Sequence, residues 1–209
     1  PIRGQNNVQG ACDMGASPNQ FSGYQNIDKP GVLEKFEKAW GTDLNPNIGT
    51  KATDCFPKMI SGEVKGLFIF GEDPVRTDPN TNHVIHALES LDFFVVDELF
   101  MTETAKLADV ILPGRSYTEK EGTFSNTERR VQRVRKAVEI AGETKPDTWI
   151  FTEIMNRMGY PQPHLTPAEI MDEIASVTPS FGGISHARLD SEEVGGRGLQ
   201  WPCPSADHP

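Results

Sequence analysis

Three short apolar runs separated by helical periodicity restrict this chain more than any other feature. Val64-Lys65-Gly66-Leu67-Phe68-Ile69-Phe70 is closed by Gly71-Glu72-Asp73-Pro74. Val84, Ile85, Leu88 and Leu91 follow with the spacing of one helix face. Phe93-Phe94-Val95-Val96 is closed by Asp97-Glu98, a short helical piece runs from Thr102 to Leu107, and Val110-Ile111-Leu112 stops at Pro113. Strand, helix, strand, helix, strand at such spacings predicts βαβ units. The runs do not alternate apolar with polar, which predicts a sheet covered on both faces. The first crossover is long enough for a parallel connection. The expected fold class is α/β: a three-layer αβα arrangement with a mostly parallel, Rossmann-like sheet, plus irregular and helical excursions.

Around this segment the pattern varies. Residues 1–30 are rich in Gly, Asn, Gln and Ser, a composition that favours turns over helix or strand. Val32, Phe36 and Trp40 predict a short amphipathic helix ending at Gly41. Residues 42–62 read as loop anchored by Phe56, Met59 and Ile60. In 114–138, Thr123-Phe124-Ser125 and Val131 to Val138 either pair as strands or form an irregular excursion. Ile150, Ile154, Met155 and Met158 mark a helix ending at Gly159. Thr166-Pro167-Ala168-Glu169 is a capping box with proline in the first helical position, opening a helix that stops before Pro179. Gly and Pro dominate from Thr178 onward, so loop or tail is expected there. The domain division expected is 1–113 for the αβα segment, 114–180 for an excursion belonging to a neighbouring domain, and 181–209 for the tail.

Composition excludes several function classes. Thirty acidic residues against twenty Lys and Arg leave a formal charge of −10. A nucleic-acid binder needs a basic face, and docking on an acidic membrane needs the same. No apolar run reaches the roughly 18 residues of a membrane span. Cys12, Cys55 and Cys203 are far apart and form no pair or cluster with zinc or iron–sulfur spacing. His83 and His86, at i and i+3 on a helix, read as surface residues, and Cys12 has no basic neighbour to activate it.

The chemistry-bearing residues collect where an open parallel sheet binds ligands, beyond the carboxyl ends of its strands. Glu72, Asp73 and Thr77 follow the first run, and Asp97 and Glu98 follow the second. Carboxylates there either accept hydrogen bonds from a purine's N–H groups or ribose hydroxyls, or simply form a turn and a solvated strand end. No G-x-G-x-x-G or Walker loop is present, so a standard NAD or ATP site is not indicated. Arg3-Gly4-Gln5-Asn6-Asn7-Val8-Gln9-Gly10 gathers amides and one guanidinium, which either wrap an anionic ligand or form an exposed polar end. Arg129, Arg130, Arg133, Arg135 and Lys136 either hold a pyrophosphate or an acidic neighbouring domain, or form a solvated face.

Taken in order, several segments resemble one family. They are Arg3 to Gly15, Gly71-Glu-Asp-Pro74, Phe100-Met-Thr-Glu-Thr-Ala105, Ala108-Asp-Val-Ile-Leu-Pro113, Glu121 to Gln132, Met158-Gly-Tyr-Pro161 and Gln200-Trp-Pro-Cys203. Together they are similar to the molybdopterin-dependent formate dehydrogenases of the dimethyl-sulfoxide-reductase superfamily. That resemblance implies a large catalytic subunit holding molybdenum or tungsten in two molybdopterin guanine dinucleotides, with a 4Fe-4S cluster near its N-terminus. Formate is oxidised to carbon dioxide, and two electrons pass to the cluster. The chain, which starts Pro1-Ile2-Arg3 and ends in Pro209, is then expected to be an internal slice that is inactive alone. The cluster cysteines, the Cys or selenocysteine on the metal and the C-terminal domain are expected elsewhere in the subunit.

By matching position, the resemblance implies that Arg3 faces formate beside the metal and that Gln5 touches a pterin. Asp73 and Thr77, with Gly71 and Glu72 in the same turn, are implied to hold one guanine dinucleotide. Glu98 and Asp147 sit at acidic positions that reach a nucleotide. Asp97 stands where the family often has Gln, and an ionised Asp can only accept hydrogen bonds. The implied partners are formate, the remainder of the catalytic subunit, and electron-transfer subunits linked to NAD, ferredoxin or a hydrogenase, in a cytoplasmic setting with no nucleic acid and no membrane span. The alternatives are another molybdopterin oxidoreductase, such as a nitrate reductase, or the iron–sulfur scaffold subunit of respiratory complex I, which lacks molybdenum.

Overall fold

In the computed structural model, which describes residues 5–140 and 142–207, the three apolar runs become adjacent parallel strands. In chain order the elements are α1 (Val8–Asp13), β1 (Gln20–Phe21), β2 (Gln25–Asn26), α2 (Val32–Trp40), α3 (Ala52–Ile60), β3 (Gly66–Phe70), α4 (Pro74–Thr77), α5 (Thr81–Glu89), β4 (Phe93–Glu98), β5 (Val110–Pro113), β6 (Gly122–Ser125), β7 (Arg130–Val134), α6 (Asp147–Arg157), α7 (Pro167–Val177), α8 (His186–Leu189) and β8 (Leu199–Gln200). They form two compact units. A sheet unit comprises Thr50–Lys120 and Ala137–His164, and a meander unit comprises the stretch up to Gly49, Glu121–Lys136 and the chain from Leu165. The units interleave along the chain, whereas the division expected from sequence at residues 113 and 180 is linear and concerns domains of a longer subunit.

In the sheet unit, β3, β4 and β5 lie in that order, both pairs parallel. Side chains alternate across a strand. Leu67, Ile69, Phe94 and Val96 therefore share one face, where they pack with Phe56 and Met59 of α3 and Val84, Ala87 and Leu88 of α5. On the other face, Phe151 of α6 meets Phe68 and Phe70, with ring centroids 5.6 and 5.4 Å apart. Helices on both faces make the αβα layering. Each fully buried Phe or Leu contributes about 1.5–3 kcal/mol.

The helix α3 replaces the loop expected over residues 42–62. Pro57 lies inside it, and an interior proline costs about 3 kcal/mol. Burial of Phe56 and Met59 is of the same size, so packing overrides the local penalty. Residues 1–30 likewise contain a helix, α1, which carries no apolar stripe and is held by polar contacts.

In the meander unit β6, β7 and β8 pair antiparallel, with Ser125 opposite Val131 and Val131 opposite Leu199. Of the two alternatives for 114–138, strand pairing is the one formed, with the second strand ending at Val134. The segment after Thr178 is not a tail. Phe181, Ile184, Leu189, Val194, Leu199 and Cys203 are buried together with Val131 and Met171. Their spacing follows neither helical nor strand period, which hides the core from a periodicity reading. Close approach depends on glycine: Gly198 has φ +78°, and a Cβ there would stand 2.4 Å from the Val131 carbonyl oxygen. The capping box of α7 is formed, the Glu169 N–H donating to Thr166 Oγ1 at 3.3 Å and the Thr166 N–H to Glu169 Oε2 at 2.7 Å.

Candidate functional site

The parallel register brings the carboxyl ends of β3, β4 and β5 to one edge. Phe70, Asp97 and Leu112 form one row across it. The Gly71 N–H donates to the Asp97 carbonyl at 2.9 Å and the Gly114 N–H to the Glu98 carbonyl at 3.2 Å, so the chain leaves the strands at fixed points. Gly71 turns away with φ +63°, open space lying where a side chain would stand. Gly114 faces no such space: a Cβ there would sit 2.5 Å from Asp97 Oδ1 and 3.5 Å from Asp147 Oδ1. Asp97 and Asp147, fifty positions apart, therefore meet over one glycine.

Asp147 opens α6, where the helix dipole favours an anion, and it is paired with Lys120. Asp97 is 1% exposed, and its Oδ2 is buried with no hydrogen-bond partner. Burial, then the charges of Asp147 and Glu98, push its carboxyl up to about 6, against the pull of Lys120. Glu98, half-buried, accepts the Leu99 N–H at Oε1, 2.7 Å away.

Asp73 has a different environment. Its Oδ1 accepts from Thr104 Oγ1 at 2.6 Å and the Thr104 N–H at 3.1 Å, and Thr104 Oγ1 in turn accepts the Val75 N–H at 3.1 Å. The carboxylate staples the turn after β3 to the segment after β4, leaving Oδ2 with only a distant contact to Arg76 at 3.8 Å. Thr77 lies exposed in α4 with its hydroxyl donating to the Asp73 carbonyl at 3.2 Å, and Glu72 is exposed at the edge. Thr104 escaped sequence reading; its one signal is the Thr102-Glu103-Thr104 run beyond the second strand.

In the meander unit, Gln5 lines a cleft of about 400 Å³ with Asn6, Asn7, Ser125 and Asn126. Asn7 begins α1 with φ 61°, and its Oδ1 accepts the Ser125 N–H at 2.9 Å. The opening segment is thus an amide-lined wall from Gln5 on; Arg3 lies outside the described residues. In the Arg-rich run Arg129, Arg130 and Arg133 are half-buried, whereas Arg135 and Lys136 are exposed. Arg129 pairs with the buried Asp13 at 3.0 Å, Arg133 with Asp190 at 3.2 Å, Arg135 also with Asp190, and Arg130 donates to the Gly198 carbonyl at 3.3 Å. His86 is exposed, and the His83 ring meets Phe56 edge-on. Among the described residues, no group of three or more His, Cys, Asp or Glu is arranged to hold a metal ion, and no helix is long and apolar enough to cross a membrane.

The family model of molybdopterin oxidoreductases matches residues 2–157. The chain belongs to the molybdopterin oxidoreductase family. It is 48% identical over its whole length to the F420-dependent formate dehydrogenase 1 subunit alpha of Methanococcus maripaludis and 49% identical to the corresponding subunit of Methanocaldococcus jannaschii. It spans about 30% of the length of these relatives. Among solved structures, acetylene hydratase from Pelobacter acetylenicus superposes with a TM-score of 0.55 at 25% identity, over 75% of this chain and 22% of that one.

Membership implies a molybdopterin cofactor in the whole protein. The sheet edge fits a polar tail of such a group on two grounds: Asp97 carries a buried carboxylate oxygen with no internal partner, and Gly71 leaves open space where the chain turns away from β3.

Proposed function

We propose that this chain is the part of a formate dehydrogenase catalytic subunit that supplies one nucleotide-holding sheet edge and the amide-lined segment beside the reacting centre. The observation that carries this reading is the identity of 48% or more, along the entire chain, to F420-dependent formate dehydrogenase alpha subunits. The cofactor is bis-molybdopterin guanine dinucleotide with molybdenum or tungsten, accompanied by a 4Fe-4S cluster whose ligands lie elsewhere in the subunit. When bound, the metal centre supplies the two-electron acceptor for formate oxidation.

The residues of this chain bind and orient. Gly71, Glu72, Asp73, Thr77, Asp97, Glu98 and Asp147 surround the guanine dinucleotide, and Gln5 contacts a pterin through its amide. Arg3 holds formate by two parallel hydrogen bonds from one planar guanidinium, a geometry that a lysine ammonium does not offer. Formate, the rest of the catalytic subunit and an electron-transfer subunit are its partners, and the cytoplasm its location. The linear division at residues 113 and 180 is proposed to follow the domains of that subunit.

The test uses the full-length subunit. Arg3→Lys should retain guanine nucleotide, measured after denaturation, but lose about 10- to 150-fold in kcat/KM for formate, the equivalent of about 1.5–3 kcal/mol for a charged hydrogen-bonded contact. Unchanged kinetics in that variant would refute the assignment of Arg3. A full-length protein free of both molybdenum and tungsten would refute the formate dehydrogenase reading in favour of an electron-transfer scaffold.

A further inference from the structure

Three carboxyl groups gather at the edge of the parallel sheet: Asp97 and Glu98 from β4 and Asp147 from α6. The cation acting on Asp97 is Lys120, which is already paired with Asp147. From β3 the register partner of Asp97 is the uncharged Phe70, and from the end of β5 it meets the backbone of Gly114. Asp97 is thus the least compensated of the acids. It is buried, its Oδ2 has no donor, and its other oxygen lies against a glycine that leaves no room for a substitute. A buried carboxylate in that position is costly as an anion. As a neutral acid it gains an O–H donor that the anion lacks. The nucleotide tail proposed above offers acceptors to such a donor: phosphate oxygens, ribose oxygens, and guanine O6 and N7.

We propose that Asp97 is protonated when the nucleotide lies on the sheet edge and donates its O–H to an acceptor atom of that nucleotide, so that filling the subsite takes up one proton from solvent. This rests on the cofactor reading and extends it to the protonation state of one residue. The balance is simple: one O–H bond forms on Asp97, one proton leaves the solvent, and no electron moves. Burial and the charges of Asp147 and Glu98 hold the empty site's carboxyl near 6, so at neutral pH the empty site is mostly ionised. Donation to a ligand acceptor raises that value further. By linkage, affinity for the nucleotide then declines as pH rises above about 6, approaching tenfold per pH unit until the bound-state value is passed.

The experiment measures the fraction of guanine nucleotide released from the full-length protein at equilibrium in sub-denaturing urea, from pH 5 to pH 8.5. In the wild type that fraction should be flat below about pH 6 and rise above it. Asp97→Asn, which keeps an N–H donor and cannot ionise, should show no rise. Asp147→Asn, which removes a like charge and frees Lys120, should move the wild-type transition to lower pH. Infrared difference spectra of the wild-type protein should contain a protonated-carboxyl carbonyl band that Asp97→Asn lacks. A pH-independent wild-type release, an unshifted transition in Asp147→Asn, or a wild-type slope in Asp97→Asn overturns the proposal while leaving the cofactor reading in place. Should Asp97→Asn fail to fold, the wild-type profile and Asp147→Asn decide. Full-length protein without any guanine nucleotide overturns the cofactor reading and this inference together.

Discussion

Replacing Arg129 by Met tests how the meander unit holds its first helix. Asp13, the last residue of α1, is 0% exposed, and its Oδ1 accepts from Gln9 Nε2 at 2.7 Å, the Tyr24 hydroxyl at 2.7 Å and Arg129 Nη2 at 3.0 Å. Burial, then Asp13 itself, raises the Tyr24 phenol, so that group stays a donor. The guanidinium lies 3.6 Å from the Trp201 ring centroid and 5.0 Å from that of Tyr24. Removing one partner of a fully buried ion pair costs about 3–5 kcal/mol. Arg129 is 29% exposed and two neutral donors stay on Asp13, which argues for the lower end. About 3 kcal/mol corresponds to roughly a 150-fold change in a local opening equilibrium. Global melting is a poor probe in a larger subunit, because its domains need not unfold together. Amide hydrogen exchange in the full-length protein isolates the effect: protection in Val8–Asp13 should fall about 150-fold in Arg129→Met, while α5 in the sheet unit is unchanged. Adding Asp13→Asn should cost less than the sum of the two single changes by at least about 1 kcal/mol, as expected for coupled neighbours. Exchange within about threefold of wild type, or a strictly additive double variant, would refute the idea that this pair anchors α1.

Two further outcomes bear on the core and on the sheet edge. Phe181→Ala should destabilise the meander unit by about 3–5 kcal/mol, seen as loss of exchange protection across α7 and β7, because Phe181 is buried in a core and not in a tail. Gly114→Ala should lower guanine nucleotide per full-length subunit several-fold with the sheet intact, since its φ is unexceptional but its methyl group would drive Asp97 Oδ1 from 2.5 Å.

The parts of this fold legible in sequence are those whose physics is local. The β3, β4 and β5 runs stand out because a sheet covered on both faces needs uninterrupted apolar residues. The α2 and α7 helices announce themselves by period and by their ends, Gly41 at φ 65° and the Thr166–Glu169 box. What stays hidden is non-local. Pro57 masks α3, whose stability comes from the sheet beneath it, and the core of residues 181–203 has no period to detect. The Arg-rich run finds its partners in Asp13 and Asp190, 116 and at least 55 positions away, where no spacing rule reaches. That Asp73, Asp97 and Glu98 stand at the carboxyl ends of the strands is legible in sequence; that Asp147 joins Asp97 over Gly114 is not readable from spacing, because α6 returns to the edge only in three dimensions.

The two acids at the tips of β3 and β4 illustrate how environment divides one chemical group between two tasks. Asp73 spends its Oδ1 on two donors from Thr104, which fixes the turn leaving β3 before any ligand arrives. A turn already ordered loses little conformational entropy on binding, so the interaction energy of the ligand is not consumed in shaping the site. Asp97 has the opposite arrangement, a buried oxygen without a donor or acceptor of its own. Such a group is destabilising in isolation, and a folded chain retains it at a strand end where an external partner can complete it. The satisfied acid therefore supplies rigidity, and recognition is the role proposed for the unsatisfied one. Exchanging their surroundings, not their identities, is what would exchange their roles: Thr104→Val should remove the hydroxyl donor from Asp73 and leave the backbone N–H in place, without giving Asp73 the burial of Asp97.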